Sequence, residues 1–353
     1  MDLVAVVERI GEAPTAALFG LITGIVFGVA AQRSRFCLRA ATVEFARGAM
    51  GSKVSVWLLT FSTAVVWVQG AQLLGLMDSA DARMMAVPGS WSGAVIGGLL
   101  FGSGMVLARG CSGRLLVMAA TGNLRSVVSG LIFAVVAQMS LSGLLAPLRD
   151  TLAALWITEG GRNMDLLAAL GLPDYGGLVL GVLIAALALV LSRRNRIGGR
   201  RLVFASGVGF SVALGWVLTY SLAQVAFEPL QIESATFTGP SAHTLMFFLE
   251  RDAILEFDVG LVPGVFIGAM IAASLAGEMR IQAFDGPVTM RKAMIGAAMM
   301  GFGGMLAGGC AIGAGVTGGS IFAGTAWAAL FFMWVGAMAT DFLVDQPGRT
   351  VTA

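Results

Sequence analysis

Three thiols are the residues in this chain whose type and placement could do chemistry: Cys37, Cys111 and Cys310. Two of them sit at the same point of a repeat. GGLLFGSGMVLARGCSG at 97–113 returns as GAAMMGFGGMLAGGCAIG at 296–313, and a shift of 199 positions lays Gly110-Cys111 on Gly309-Cys310. Cys37 lies 74 residues before Cys111, and the same step back from Cys310 reaches Thr236, so a hydroxyl stands where the first half has a thiol. Thiols of this kind offer two chemistries. As neutral groups they can line a path, or as thiolates they can act as nucleophiles. The second needs an activating base, and His243, the one histidine, lies on another segment. Three cysteines without a C-x-x-C or Cys/His spacing give neither a disulfide framework nor a metal site, and no cofactor is expected. Charged neighbours complete the set. Arg33, Arg35 and Arg39 flank Cys37, and Arg109 precedes Cys111. Arg109, Arg39, Gly110, Gly309 and Thr236 are the expected anion contacts. Arg33, Arg47 and Lys53 are accounted for as topology signals.

The elements that hold these residues must be membrane helices. Of 353 residues, 57% are hydrophobic and 12% charged, with 49 glycines; a soluble domain carries about 25% charged residues. Nine segments have the roughly 20 apolar residues that a span requires: 17–31, 54–77, 89–108, 126–147, 176–192, 202–226, 259–279, 293–308 and 321–340. With the N-terminus outside, 17 of the 22 lysines and arginines fall on the inside, leaving Arg9, Arg83, Arg149, Arg162 and Arg251 outside. Such a split predicts an N-out, C-in protein. There is no basic leader before Pro14. The third span then runs inward and the eighth outward, so the two glycine-cysteine copies form an inverted-topology repeat, as in many secondary transporters. One membrane domain is expected. Its first repeat covers 1–147, and residues 148–201 supply an outer amphipathic segment, a linking span and a basic loop. The second repeat covers 202–353. The stretches 148–170 and 240–256 read as amphipathic pieces on the outer surface, which makes His243 a surface residue.

The connections after Cys111 and Cys310 are short and poor in charge, and AIGAGVTGGS at 311–320 has none. They are expected to dip into the membrane, because irregular backbone at that depth must be buried in protein or line a cavity. Broken helices there present N–H groups and partial positive charge to an anion. Glycines at four-residue spacing, such as Gly20/Gly24/Gly28, are helix-packing residues, and the 19 methionines are packing or lipid-facing residues. Gly301-Phe302-Gly303-Gly304 follows no strand and is no dinucleotide fingerprint.

RSRFCLRAA at 33–41, GSGMVLARGCSGRLL at 102–116, ESATFTGP at 233–240 and GFGGMLAGGCAIGAGVTGGS at 301–320 resemble the YeeE/YedE family of membrane proteins. The resemblance covers nearly the whole chain. It implies an all-α polytopic protein of nine spans with a narrow path lined by Cys37, Cys111 and Cys310. It also implies uptake of thiosulfate, or a similar small sulfur anion, across a bacterial inner membrane by S–H···S contacts. A small cytosolic sulfur carrier of the TusA type is the partner it implies. The thiols are expected to be protonated during passage, since a thiolate repels a dianion. A membrane sulfurtransferase and a sulfur-anion sensor are the alternatives.

Overall fold

The fold is given by a computed structural model, which describes residues 3–251, 253–283 and 286–345. The described residues form a helical bundle with isolated bridges only. In chain order the principal helices are α1 (Glu12–Ser34), α2 (Leu38–Ala46), α3 (Ser52–Leu73), α4 (Trp91–Leu107), α5 (Ser112–Ala120) and α6 (Leu124–Leu141). They continue as α7 (Gly176–Arg194), α8 (Gly199–Ala223), α9 (Thr238–Leu249), α10 (Phe257–Leu275), α11 (Pro287–Leu306) and α12 (Gly324–Thr340). Between α11 and α12 lies one turn of wide π-helix, Gly313–Gly318. Eight helical stretches of the described residues are long and apolar enough to cross a membrane, and the chain is a multi-pass membrane protein. The expected segment 293–308 is helical too, within α11, but is not among the eight; Arg291 and Lys292 lie in its opening turns.

Glycine decides which helices meet. Lipid tails are as apolar as leucine, so spans associate by close packing rather than by the hydrophobic effect. A Cβ built on Gly97 would lie 2.5 Å from Gly303 O, and one on Gly296 would lie 2.5 Å from Gly104 O. Backbone therefore touches backbone where α4 crosses α11, and the two helices run in opposite directions. On the other side of the bundle α1 and α10 run alongside each other, with Gly24 and Gly264 facing at their closest approach. Further packed pairs include α8 on α1 and α7 on α3. α10 packs on α1 and α3 on α8; α4 packs on α12 and α11 on α6. α2 packs on α3 and α12, and α9 packs on α10 and α6.

One expectation about the surface is overturned. Within 240–256 the helix ends at Leu249, and one side of it is packed into the bundle rather than lying free on a surface. Thr238, Pro240, Ala242 and Thr244 of α9 are buried against α6 and α10. His243 and Glu250 instead border a cavity of about 690 Å³ whose rim, at Ile254 and Glu256, is exposed. His243 is partly buried, and its Nδ1 lies 2.9 Å from Asp258 Oδ2. Residues 148–170 fold as two short helices, Ala146–Ala153 and Leu166–Ala169. They tie down the end of the bundle where α12 begins. Asn163 Nδ2 donates to Thr325 Oγ1 at 2.8 Å, and Leu166 N to Phe322 O at 3.0 Å.

Candidate functional site

Each cysteine stands just after a stopped helix. α1 ends with Arg35 in the left-handed region (φ 54), α4 with Arg109 (φ 57) and α11 with Gly308 (φ 75). In every case the cysteine follows two residues later. At the second and third stops the hydrogen bonds are those of a Schellman motif. Arg109 N donates to Val106 O and Gly110 N to Met105 O; Gly308 N donates to Met305 O and Gly309 N to Gly304 O. Such a stop turns the chain sharply, so that Cys37 and Cys111 become the N-caps of the short helices α2 and α5. Cys310 likewise heads the π-turn. Gly313 N donates to Cys310 Sγ at 3.4 Å. The amides three residues after Cys37 and Cys111, those of Ala40 and Arg114, act on the sulfurs without closing a full cap bond. Three thiols thus lie at three helix N-termini, where the backbone supplies positive potential.

These turns converge. The Cys37 and Cys111 thiols are near enough to interact, and Cys310 is near enough to Cys111 to act on it electrostatically. Cys111 and Cys310 are buried, whereas Cys37 is partly exposed. Phe27, Phe36 and Ile312 close around Cys111, leaving a cavity of about 10 Å³. That volume admits about one water. Phe27 also meets Phe237 edge to face, ring centres 4.9 Å apart.

Toward the end of the bundle where α4 begins and α11 stops lies a separate cavity of about 300 Å³. Gly308 and Gly309, just before Cys310, form part of its wall, with Ser234, Thr236, Thr238 and Thr317. Two buried donors here have no partner: Trp216 Nε1 and Thr238 Oγ1. An unmet buried donor costs about 1–3 kcal/mol, so an acceptor that enters this cavity recovers that cost. Arg83 and Arg149 stand in the same wall. The opposite end is basic around Cys37. Arg35 pairs with Glu278 at 3.4 Å, and Arg201 Nε donates to Ser34 O at 2.8 Å.

Residues 33–339 match the family described as Sulphur transport. The chain belongs to that family. Two curated relatives bear the name thiosulfate transporter TsuA. The protein from Escherichia coli strain K12 is 28% identical over 362 residues, covering 95% of this chain and 98% of its own. The protein from Spirochaeta thermophila is 27% identical over 298 residues, covering 80% and 84%.

The residues expected from sequence fall into two groups. Cys37, Cys111 and Cys310 come together, with Gly110 and Gly309 buried in the turns beside them and Thr236 against Gly313. Arg109 is exposed and shapes the turn with its backbone. Arg114, one turn further on, lines the Cys111 cavity, and its Nη1 is buried without a partner. Arg39 is partly buried in the first turn of α2. Trp216, Thr238 and Arg114 were not legible as site residues. The only signal for Thr238 is its place in ESATFTGP. His243 belongs to the far end, with Asp258, and is no base for the thiols.

Proposed function

We propose that this protein imports thiosulfate through the path marked by its three thiols, entering at the Trp216 cavity and passing Cys310, Cys111 and Cys37 in that order. The observation that carries the reading is the file of three thiols below a cavity with unmet donors. Desolvating an unpaired charge costs tens of kcal/mol in the limit. Fixed donors must offset that cost along the whole way. Trp216 Nε1–H and Thr238 Oγ1–H would receive the oxygens. Beyond Cys310 the walls are Phe27, Phe237 and Ile312, and there the soft terminal sulfur finds S–H groups of matching polarizability. Passage requires the thiols to be neutral.

The scaffold of this path is an inverted repeat, 1–147 against 202–353, joined by α7. Two features support it: the reciprocal crossing of Gly97 with Gly303 and Gly104 with Gly296, and the helix pairings that recur between the halves. The distribution of arginine and lysine supports an inner-membrane location with the N-terminus periplasmic and the C-terminus cytoplasmic. The Cys37 mouth is then cytoplasmic, and its arginines offer a landing face for a small acidic sulfur carrier of the TusA type. Radiolabelled thiosulfate uptake into proteoliposomes containing the purified chain tests the reading. Accumulation above empty liposomes, competed by unlabelled thiosulfate, is expected; no accumulation under any imposed gradient contradicts it.

A further inference from the structure

An anion cavity should not be walled by carboxylates, yet this one is. Glu233 and Asp258 both line the 300 Å³ cavity with Trp216 and Thr238. Both also line a second cavity of about 690 Å³, together with His243 and Glu256. They are the partition between the two. Their compensation is thin. Arg83 Nη1 lies 3.9 Å from Glu233 Oε2, and half of that arginine side chain is in solvent. His243 holds Asp258 Oδ2 at 2.9 Å, while Asp258 Oδ1 is buried with no partner and the side chain is 3% exposed. Glu256 adds a third carboxylate 3.8 Å from His243. The far side of the second cavity brings Glu12, Glu228 and Glu250, and the anion side brings only Arg149, already bound to Asp150 at 2.6 Å.

We propose that Glu233, with Asp258 and His243 behind it, is a proton site linked to the anion site, so that the cavity takes up a proton from the outer solution as it takes up the anion. This rests on the reading of the Trp216 cavity as the entry for thiosulfate. Ionised, Glu233 sets a negative charge in the wall that a dianion must face. Protonated, it removes that charge and supplies an O–H. Binding of anion and proton must therefore favour each other, and by linkage each strengthens the other by the same factor. The protein environment is set for such a role. Burial first, and the Asp258 carboxylate next, push the Glu233 carboxyl well above the ordinary range. The hydrogen bond to Asp258 holds the His243 imidazole above its usual value. The sign follows: Glu233 is neutral on the acid side and loses its proton as pH rises through its raised pKa, so the anion binds more tightly at lower outer pH.

Calorimetric titration of the purified full-length chain with sodium thiosulfate tests this, run at several pH values in two buffers of different ionisation heat. The wild type should take up protons on binding, and its Kd should rise by up to about tenfold per pH unit while one linked proton is being lost. Glu233→Gln should bind with one Kd across that range and take up no proton. A wild-type Kd that does not move with pH, or heats identical in both buffers, overturns the proton site and leaves the thiosulfate reading standing. So does a Glu233→Gln protein that keeps the wild-type profile. Absence of thiosulfate binding at every pH overturns both. Should Glu233→Gln fail to fold, the wild-type buffer comparison decides alone.

Discussion

The turns at Cys111 and Cys310 are built alike up to the cysteine and part company after it. Both end a glycine-rich helix with the same pair of Schellman bonds and a left-handed residue. After Cys111 the chain resumes as the ordinary helix α5. Its Arg114 reaches the cavity, and space remains beside the sulfur for Cys37. After Cys310 the chain makes a wide π-turn, and every residue from Gly309 to Gly324 is buried. Thr317 there donates to Ala235 O, and Thr236 lies against Gly313. One scaffold thus carries two linings. The Cys310 side is filled by its neighbours and opens on a cavity of unmet donors, whereas the Cys111 side ends in a pair of thiols at the basic end. In the proposed path the two different ends would give an anion a recognised entry and an attractive exit, which two identical turns would not.

The strongest way to break the comparison is at the shared crossing. Gly104 and Gly303 occupy matching positions, and a Cβ on either would meet opposing backbone at 2.5–2.8 Å. Gly104→Val and Gly303→Val should each cost about 3 kcal/mol and abolish the monodisperse peak in size-exclusion chromatography to the same degree. Tolerance at one site only would show that the two halves do not share the crossing. The entry lining is tested next. Trp216→Phe keeps the ring and removes one donor, so the half-saturating thiosulfate concentration should rise about tenfold, the worth of one hydrogen bond to a charged group. Unchanged half-saturation would remove Trp216 from the path. The smallest effect should come from Arg109→Gly, which gives the first turn the glycine that the second has at Gly308. Relief of the left-handed strain should raise thermal stability by about 1 kcal/mol with uptake within twofold of wild type. A large loss of uptake would restore Arg109 as an anion contact.

Much of this was legible because it depends on residue type and spacing. The three cysteines, the repeated Gly-Cys and the apolar spans are sequence properties, and they single out Cys37, Cys111 and Cys310. Thr236 came from a spacing; it stands two residues before α9, whereas Cys37 directly precedes α2. The entry lining was not legible. Trp216 lies mid-span like any packing aromatic, and only three-dimensional surroundings reveal that its N–H has no partner. Arg114 was passed over for Arg109 because the left-handed stop reverses the chain between them. Residues 240–256 misled because an amphipathic pattern does not say whether its polar face meets bulk water or a cavity.

The central claim is that the thiols themselves carry the anion. It is tested most directly by thiosulfate uptake in a host lacking other sulfate and thiosulfate import, comparing wild type with Cys37→Ala, Cys111→Ala and Cys310→Ala at matched membrane abundance. The account predicts that Cys111→Ala and Cys310→Ala, at the buried part of the path, fall to the level of the empty host, with Cys37→Ala strongly reduced. Full uptake by all three variants would contradict it.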